Sequence, residues 1–280
     1  MLNHMTYRLY LLFFLVVSSV FQSQAEEIEP VHFAYANYLG SGVYKTTGQH
    51  ASLISMPFSY DLAKKDKTSY SIRLPLSLGF FDFALTDIPN LELPNEVGTV
   101  TFTPGIAFKY QYNTDWVIET YADLGYGRNL TTDQGVTITS AGVSALYHFN
   151  LKQVDSIWAS RVYYANYDGN GYDAIDSYAA IQTGIDAGLP LQYTLLGYQF
   201  QPRVFAAVFW YFSEVDFFMP RTRDFDIAEN VTLTNSIELG VTMKFDKTIG
   251  YDWAGFERLG LSYRYSKSFS AFRLLFSFPI

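Results

Sequence analysis

The stretch SYSIRLPLSLGFF, residues 69–81, carries large apolar side chains at every second position. Residues 70, 72, 74, 76, 78 and 80 are apolar, whereas Ser, Arg, Pro or Gly occupies each position between them. Because successive side chains of a strand point to opposite faces, this period of two predicts a β-strand with one apolar and one polar face. A strand of this length exceeds the ~5–6 residues usual in soluble proteins and suits the ~9–11 residues that a tilted membrane strand needs.

The same alternation recurs along the chain and divides it into twelve segments, most of them 11–16 residues long. Twelve long amphipathic strands in sequence order predict an all-β fold, a transmembrane antiparallel up-and-down β-barrel of about 12 strands. An even number of strands places both termini on the same side of the membrane, which we expect to be the periplasmic side. The segments are residues 30–44, 49–61, 69–83, 98–112, 115–127, 135–149, 156–167, 176–189, 197–212, 231–245, 256–266 and 268–280.

The composition is unusual for a soluble domain and excludes a helical membrane protein. The chain has 280 residues, including 24 Phe, 23 Tyr and no Cys, and its formal net charge is −8. Beyond residue 25 it has no run of 18 apolar residues, so it encodes no helix able to span ~30 Å of hydrocarbon. Backbone polar groups must be satisfied inside a membrane, and a chain without such helices can cross only as a closed barrel of strands.

The first 25 residues have the features of a secretory signal peptide. Arg8 supplies a basic region, Leu9–Val20 an apolar run of twelve residues, and Ser23-Gln24-Ala25 a cleavage site of small residues. We therefore predict that residues 1–25 are removed and that residues 26–280 form a single barrel domain. Export combined with membrane strands predicts the outer membrane of a Gram-negative cell, where outer-membrane lipid and lipopolysaccharide surround the protein.

The connections between the predicted strands differ in length. Those after strands 2, 4 and 6 are short (residues 62–68, 113–114 and 150–155), whereas those after strands 3, 5, 7 and 9 are longer and mostly acidic. Short periplasmic turns and long outer loops are typical of outer-membrane barrels. Residues 190–196 and 246–255 are longer than this alternation predicts, so the strand boundaries near 190–200 and 246–268 are open.

Charged residues within the predicted strands fall on the row opposite the apolar one. A charge facing lipid at the membrane midplane costs ~2–4 kcal/mol, so these side chains are predicted to point into the barrel. They can pair with one another and brace the wall, or they can line a water-filled lumen in which the surplus of positive charge favours anions. The residues are Arg73, Lys109, Arg161, Arg203, Lys244, Arg258, Arg264 and Arg273, and the acidic Glu119, Asp123, Asp186 and Glu238.

The last predicted strand, SFSAFRLLFSFPI at residues 268–280, has its own apolar row. On the alternation rule this row faces lipid. The strand resembles the closing strand of outer-membrane barrels, which the barrel assembly machinery recognises, although Pro279 precedes a terminal Ile280 where an aromatic residue is common. The resemblance implies an assembly signal made of Phe272, Leu274, Phe276, Phe278 and Ile280.

No arrangement of residues predicts catalysis, a cofactor or a metal. His148 follows Ser144 by four residues, a spacing of ~13 Å along a strand, which is too long for proton transfer. The acidic stretch DGNGYDAID, residues 168–176, lacks the bidentate Glu of a calcium loop and suits an exposed outer loop better. Basic patches and nucleotide-binding motifs are also missing, so neither a barrel hydrolase nor a nucleic-acid partner is favoured.

The stretches TPGIAFKYQYN (103–113) and YADLGYGRNL (121–130), within a twelve-strand pattern, resemble the solitary autotransporter-like outer-membrane barrels. The resemblance implies a non-enzymatic, structural or surface role for a translocator-type barrel without a passenger. Only about four residues, Glu26–Glu29, precede the first predicted strand, so we expect no passenger or plug helix upstream and leave open an unidentified exported partner. A narrow channel with a mild anion preference is the alternative, and a barrel hydrolase ranks third.

Overall fold

The structure is a computed structural model that consists of β-strands throughout its described part. It describes residues 40–46, 49–81, 98–130, 133–151, 154–169, 175–195, 197–212, 215–218, 230–233, 235–251 and 254–280. No helix in these ranges is long and apolar enough to cross a membrane. The predicted signal peptide and residues 30–39 of the first predicted strand lie outside the described residues.

Sixteen strands form in the described ranges, and every pairing between them is antiparallel. They are β1 (Gly42–Thr46), β2 (Gln49–Lys65), β3 (Thr68–Phe81), β4 (Thr99–Phe102), β5 (Gly105–Gln111), β6 (Trp116–Asn129), β7 (Gly135–Leu151), β8 (Val154–Gly169), β9 (Ile175–Gly188), β10 (Tyr193–Leu195), β11 (Tyr198–Tyr211), β12 (Val215–Phe218), β13 (Asn230–Leu233), β14 (Ser236–Tyr251), β15 (Ala254–Tyr265) and β16 (Ser270–Leu275).

The strands close into a twelve-strand antiparallel barrel, which confirms the predicted fold class. Successive wall strands pair with one another: β9 pairs with β11, β11 pairs with β14, and β16 returns to pair with β1. β4 and β5 both lie between β3 and β6 and form one wall position, interrupted at Thr103-Pro104 because Pro lacks the N–H that a strand ladder needs. β12 and β13 pair with each other, between β11 and β14 in the chain.

The barrel has an apolar outside and a polar or tightly packed inside, the reverse of a soluble core. In β11, Arg203, Phe205 and Phe209 are buried, whereas Val204 and Trp210 between them are exposed. Strand pleating explains this alternation, because successive side chains of a strand point to opposite faces of the wall. The period of two in the sequence therefore records which side chains face outward.

The two ends of the barrel differ. At one end, hereafter the short-turn end, brief connections join β2 to β3, β5 to β6, β7 to β8 and β14 to β15. At the opposite, long-loop end, residues 82–98 separate β3 from β4 and residues 170–174 separate β8 from β9. The asymmetry predicted from the sequence is present at these connections, whereas the links of residues 47–48 and 266–269, also at the long-loop end, are short.

The predicted connection at residues 246–255 is wrong, because β14 continues to Tyr251 and β15 begins at Ala254. The pairing shifts between Lys244 and Ile249, where a β-bulge or similar irregularity breaks the alternation without ending the strand. At the other irregular connection, β10 forms a short hairpin with β11. At both connections, residues that the apolar pattern assigned to a loop belong to strands.

The final strand also departs from its predicted course, since β16 ends at Leu275 and not at residue 280. Phe272 and Leu274 point outward and are exposed, as the row predicts. Ile280 is only 1% exposed and packs inside the barrel, and Phe278 packs against the same interior cluster, so the predicted outward orientation of both is wrong. The row leaves the wall after Leu275, and Pro279 further along cannot donate a hydrogen bond to a neighbouring strand.

Candidate functional site: the barrel interior

A network of four charged side chains fills the interior near the short-turn end. Arg203 Nε lies 2.6 Å from Asp186 Oδ2, and Arg258 Nη1 lies 3.0 Å from Asp186 Oδ1. Arg203 Nη1 also reaches Asp155 Oδ2 at 2.9 Å. The side chains of Asp186 and Arg203 are 0% exposed, so the centre of this basal network (Asp155, Asp186, Arg203 and Arg258) is fully buried, whereas Asp155 at its edge is 49% exposed.

A second buried ion pair joins strands on the next part of the wall. Glu238 of β14 pairs through Oε2 with Nη1 of Arg273 on β16. Its other oxygen, Oε1, accepts a hydrogen bond of 2.5 Å from Ser262 of β15. Glu238 therefore connects three consecutive wall strands, and both of its oxygens are occupied.

A third ion pair lies across β3 and β6. Arg73 Nε lies 3.0 Å from Asp123 Oδ1, and Ser140 donates a hydrogen bond of 3.3 Å to the other carboxylate oxygen. The Arg73 guanidinium also sits 4.0 Å from the centre of the Tyr121 ring. A Cβ at Gly142 would lie 2.5 Å from this ring, so the glycine leaves room for the tyrosine.

The remaining predicted interior charges are less enclosed. Lys109 and Glu119 pair at 2.6 Å, but the lysine side chain is 55% exposed. Arg161 donates a hydrogen bond of 2.8 Å to Ser144. Lys244 is the cross-strand partner of Arg258, so the two side chains lie on the same, inward face of the sheet. The Lys244 side chain is nevertheless exposed.

The chemistry of Arg264 differs from that of the other interior arginines. It is fully buried near the long-loop end, where Nε donates to Ser236 Oγ at 2.9 Å and Nη2 donates to Tyr211 Oη at 2.6 Å. Its guanidinium lies 3.5 Å from the centre of the Phe209 ring. Arg264 belongs to none of the ion pairs in the described ranges.

Sequence reasoning missed an aromatic core inside the barrel. Tyr163 and Tyr178 meet edge to face, with ring centres 5.8 Å apart, and Tyr178 and Tyr211 lie at 6.1 Å. Phe205 and Phe209 of β11 are buried beside them. A signal was present, because Tyr163 falls on the same row as Arg161 and both phenylalanines share the row of Arg203.

Residues after β16 occupy part of this interior. Gln182 Nε2 donates a hydrogen bond of 2.9 Å to the carbonyl oxygen of Pro279. The Arg258 guanidinium sits 5.1 Å from the centre of the Phe278 ring. Ile280 packs so closely on β9 that a Cβ at Gly184 would lie 2.8 Å from Ile280 Cδ1. Residues 276–280, hereafter the inward tail, thus turn back from the short-turn end into the barrel.

Polar groups on the outward face are satisfied by the protein. Trp158 Nε1 donates to Thr183 Oγ1 at 3.0 Å, and the Ser160 and Thr183 hydroxyls lie 2.7 Å apart. Arg128, on the outward row, lies at the long-loop end and pairs with Asp133. The hydrogen bond from Arg128 to Asp133, followed by their charge attraction, raises the pKa of this guanidinium.

Ser144, the hydroxyl nearest in sequence to His148 on the same strand row, has another partner. The Ser144 hydroxyl accepts a hydrogen bond from Arg161. Among the described residues no group of three His, Asp or Glu side chains could hold a metal ion, and most of the acidic stretch 168–176 lies outside the residues whose side chains are described. A comparison with protein-family models and a search of curated proteins find no match for this chain.

Proposed function

We propose that this protein is a non-enzymatic outer-membrane barrel with a structural or surface role and a closed interior. A twelve-strand barrel fits an outer-membrane protein in general. The exposed outward rows support residence in lipid, because side chains such as Leu239 and Trp210 would face water in a soluble protein. The likeness to solitary autotransporter-like barrels remains part of the proposal, as does recognition by the barrel assembly machinery.

The burial of the basal network carries the proposal of a closed interior. Asp186 forms ion pairs with both Arg203 and Arg258, and its side chain has no exposed surface. Water-filled pores keep such charges hydrated, whereas a packed interior pairs them. The pairs therefore favour the bracing role of these residues over an open anion path.

Membrane residence and closure need separate measurements. We expect the purified protein to require detergent, to show sheet in circular dichroism, and to float with liposomes after reconstitution. A protein that stays dissolved and monomeric without detergent contradicts residence in the membrane. Planar-bilayer recordings test closure, because a closed barrel gives no steady single-channel current at any voltage.

A narrow channel with anion preference is the second candidate, and the wall at β3–β6 favours it. The side chain of Arg73 is 31% exposed and Lys109 is more exposed still, so the interior is less tightly packed there. A steady current that prefers anions, and that falls in an Arg73→Glu variant, supports this function. Arg128→Glu serves as the control, because Arg128 lies on the outward row and should leave the current unchanged.

A further inference from the structure

No carboxylate of the described residues lies within ion-pair distance of the buried guanidinium of Arg264. Every other fully buried charged side chain of the described interior has an opposite charge within contact distance: Asp186 has Arg203, and Glu238 has Arg273. Glu238 is the cross-strand partner of Arg264, but its oxygens are used by Ser262 and Arg273. Arg264 thus keeps a positive charge that is fully buried from solvent, which is unfavourable unless an anion joins it.

The hydrogen bonds of Arg264 leave Nη1 of the guanidinium unused. An arginine has five N–H donors in a fixed fork. Nε donates to Ser236 and Nη2 to Tyr211, but Nη1 is buried and has no hydrogen-bond partner. The fork between Nη1 and Nη2 is the edge that binds anions in protein sites.

Aromatic rings form the walls around this edge. The guanidinium lies 3.5 Å from the Phe209 ring centre and 5.5 Å from that of Phe269. The Tyr211 hydroxyl, which accepts from Nη2, is hydrogen-bonded to that of Tyr163. Apolar walls with so few polar groups suit a compact ion and provide nothing to recognise a sugar or a base.

We propose that Arg264 is the fixed cation of a binding site for a small monovalent anion of the chloride type. The site lies at the long-loop end, since Arg264 is two residues before Ser266, which begins the link from β15 to β16. Nη1 donates to the anion, the Phe209 ring supports the guanidinium from its face, and Ser236 fixes its orientation. The inference does not depend on whether the barrel conducts.

Thermal unfolding in detergent tests the site with the halide alone. At constant ionic strength, we expect the Tm of the protein to be roughly 5 °C higher in chloride or bromide than in methanesulfonate, a bulkier anion. Arg264→Met should lose this difference. Arg128→Met, an exposed arginine outside the interior, should keep it. An equal halide effect in Arg264→Met, or no effect in the unmodified protein, overturns the proposal.

A second measurement covers the case in which Arg264→Met does not fold. Crystals of the unmodified protein grown in bromide should show an anomalous peak within hydrogen-bond distance of Arg264 Nη1. Crystals without a bromide peak at Nη1 overturn the proposal even if other bromide ions are bound at the surface.

Discussion

Gln182 donates a 2.9 Å hydrogen bond to the carbonyl oxygen of Pro279, a residue 97 positions further along the chain. This contact holds the inward tail against β9, which lies four wall positions away from β16. It also places Ile280 beside Gly184 in the packed interior. The inward tail thus braces the barrel in addition to the interior ion pairs.

Truncating Ile280 to Ala tests the inward tail. Loss of a large buried aliphatic side chain typically destabilises a protein by about 2–5 kcal/mol, and we expect a loss of stability in that range in guanidinium unfolding of refolded protein. Phe272→Ala is the matched control, since Phe272 is exposed on the outward row of the same segment. Equal effects of the two substitutions in detergent would show that Ile280 does not pack inside.

Replacing Asp186 by Asn tests the basal network. The substitution leaves Arg203 and Arg258 buried without their shared carboxylate, which should lower the free energy of unfolding by roughly 3–5 kcal/mol. Asp133→Asn is the control, because that carboxylate is exposed at the long-loop end and should contribute about 0–1 kcal/mol. Denaturant unfolding monitored by tryptophan fluorescence measures both, and similar values for the two variants contradict a buried network.

Gly142→Ala tests the packing around Tyr121. The added Cβ would lie 2.5 Å from the Tyr121 ring, and the ring would have to move away from Arg73. Overpacking of this kind typically costs about 1–3 kcal/mol, measured as a lower midpoint in denaturant. Ala141→Val adds volume at the adjacent outward residue and should change the midpoint little. A larger loss for Ala141→Val than for Gly142→Ala would mean that the two faces are assigned the wrong way round.

The sequence was sufficient to predict a twelve-strand barrel because a wall with one inward and one outward face imposes a period of two. Residues 69–81 alternate without interruption, and β3 covers all of them. At Lys244–Ile249 the bulge breaks that period, and the prediction ended the strand too early. Beyond Leu275 the reverse occurred, because alternation continues in the sequence through residues that no longer pair as a strand.

Which interior residues meet was not accessible from the sequence. Alternation alone places Asp186 and Arg258 on inward rows, but their 3.0 Å contact depends on the stagger of the whole barrel. The same holds for Gln182 and Pro279. Inward aromatics such as Tyr163 share their row with Arg161, so their orientation was predictable while their stacking on one another was not.

A charge placed on the outward row tests whether lipid surrounds the barrel. Leu239 is exposed, and it lies opposite Ala206 near the middle of β11. Arg at this position should lower the free energy of unfolding in liposomes by about 2–4 kcal/mol, whereas an Arg in place of Leu130, at the long-loop end, should cost about 0–1 kcal/mol. Leu239→Ala separates the loss of the leucine from the added charge. Because water would accept both arginines equally well, the same small effect at the two positions would mean that this face is not in contact with lipid.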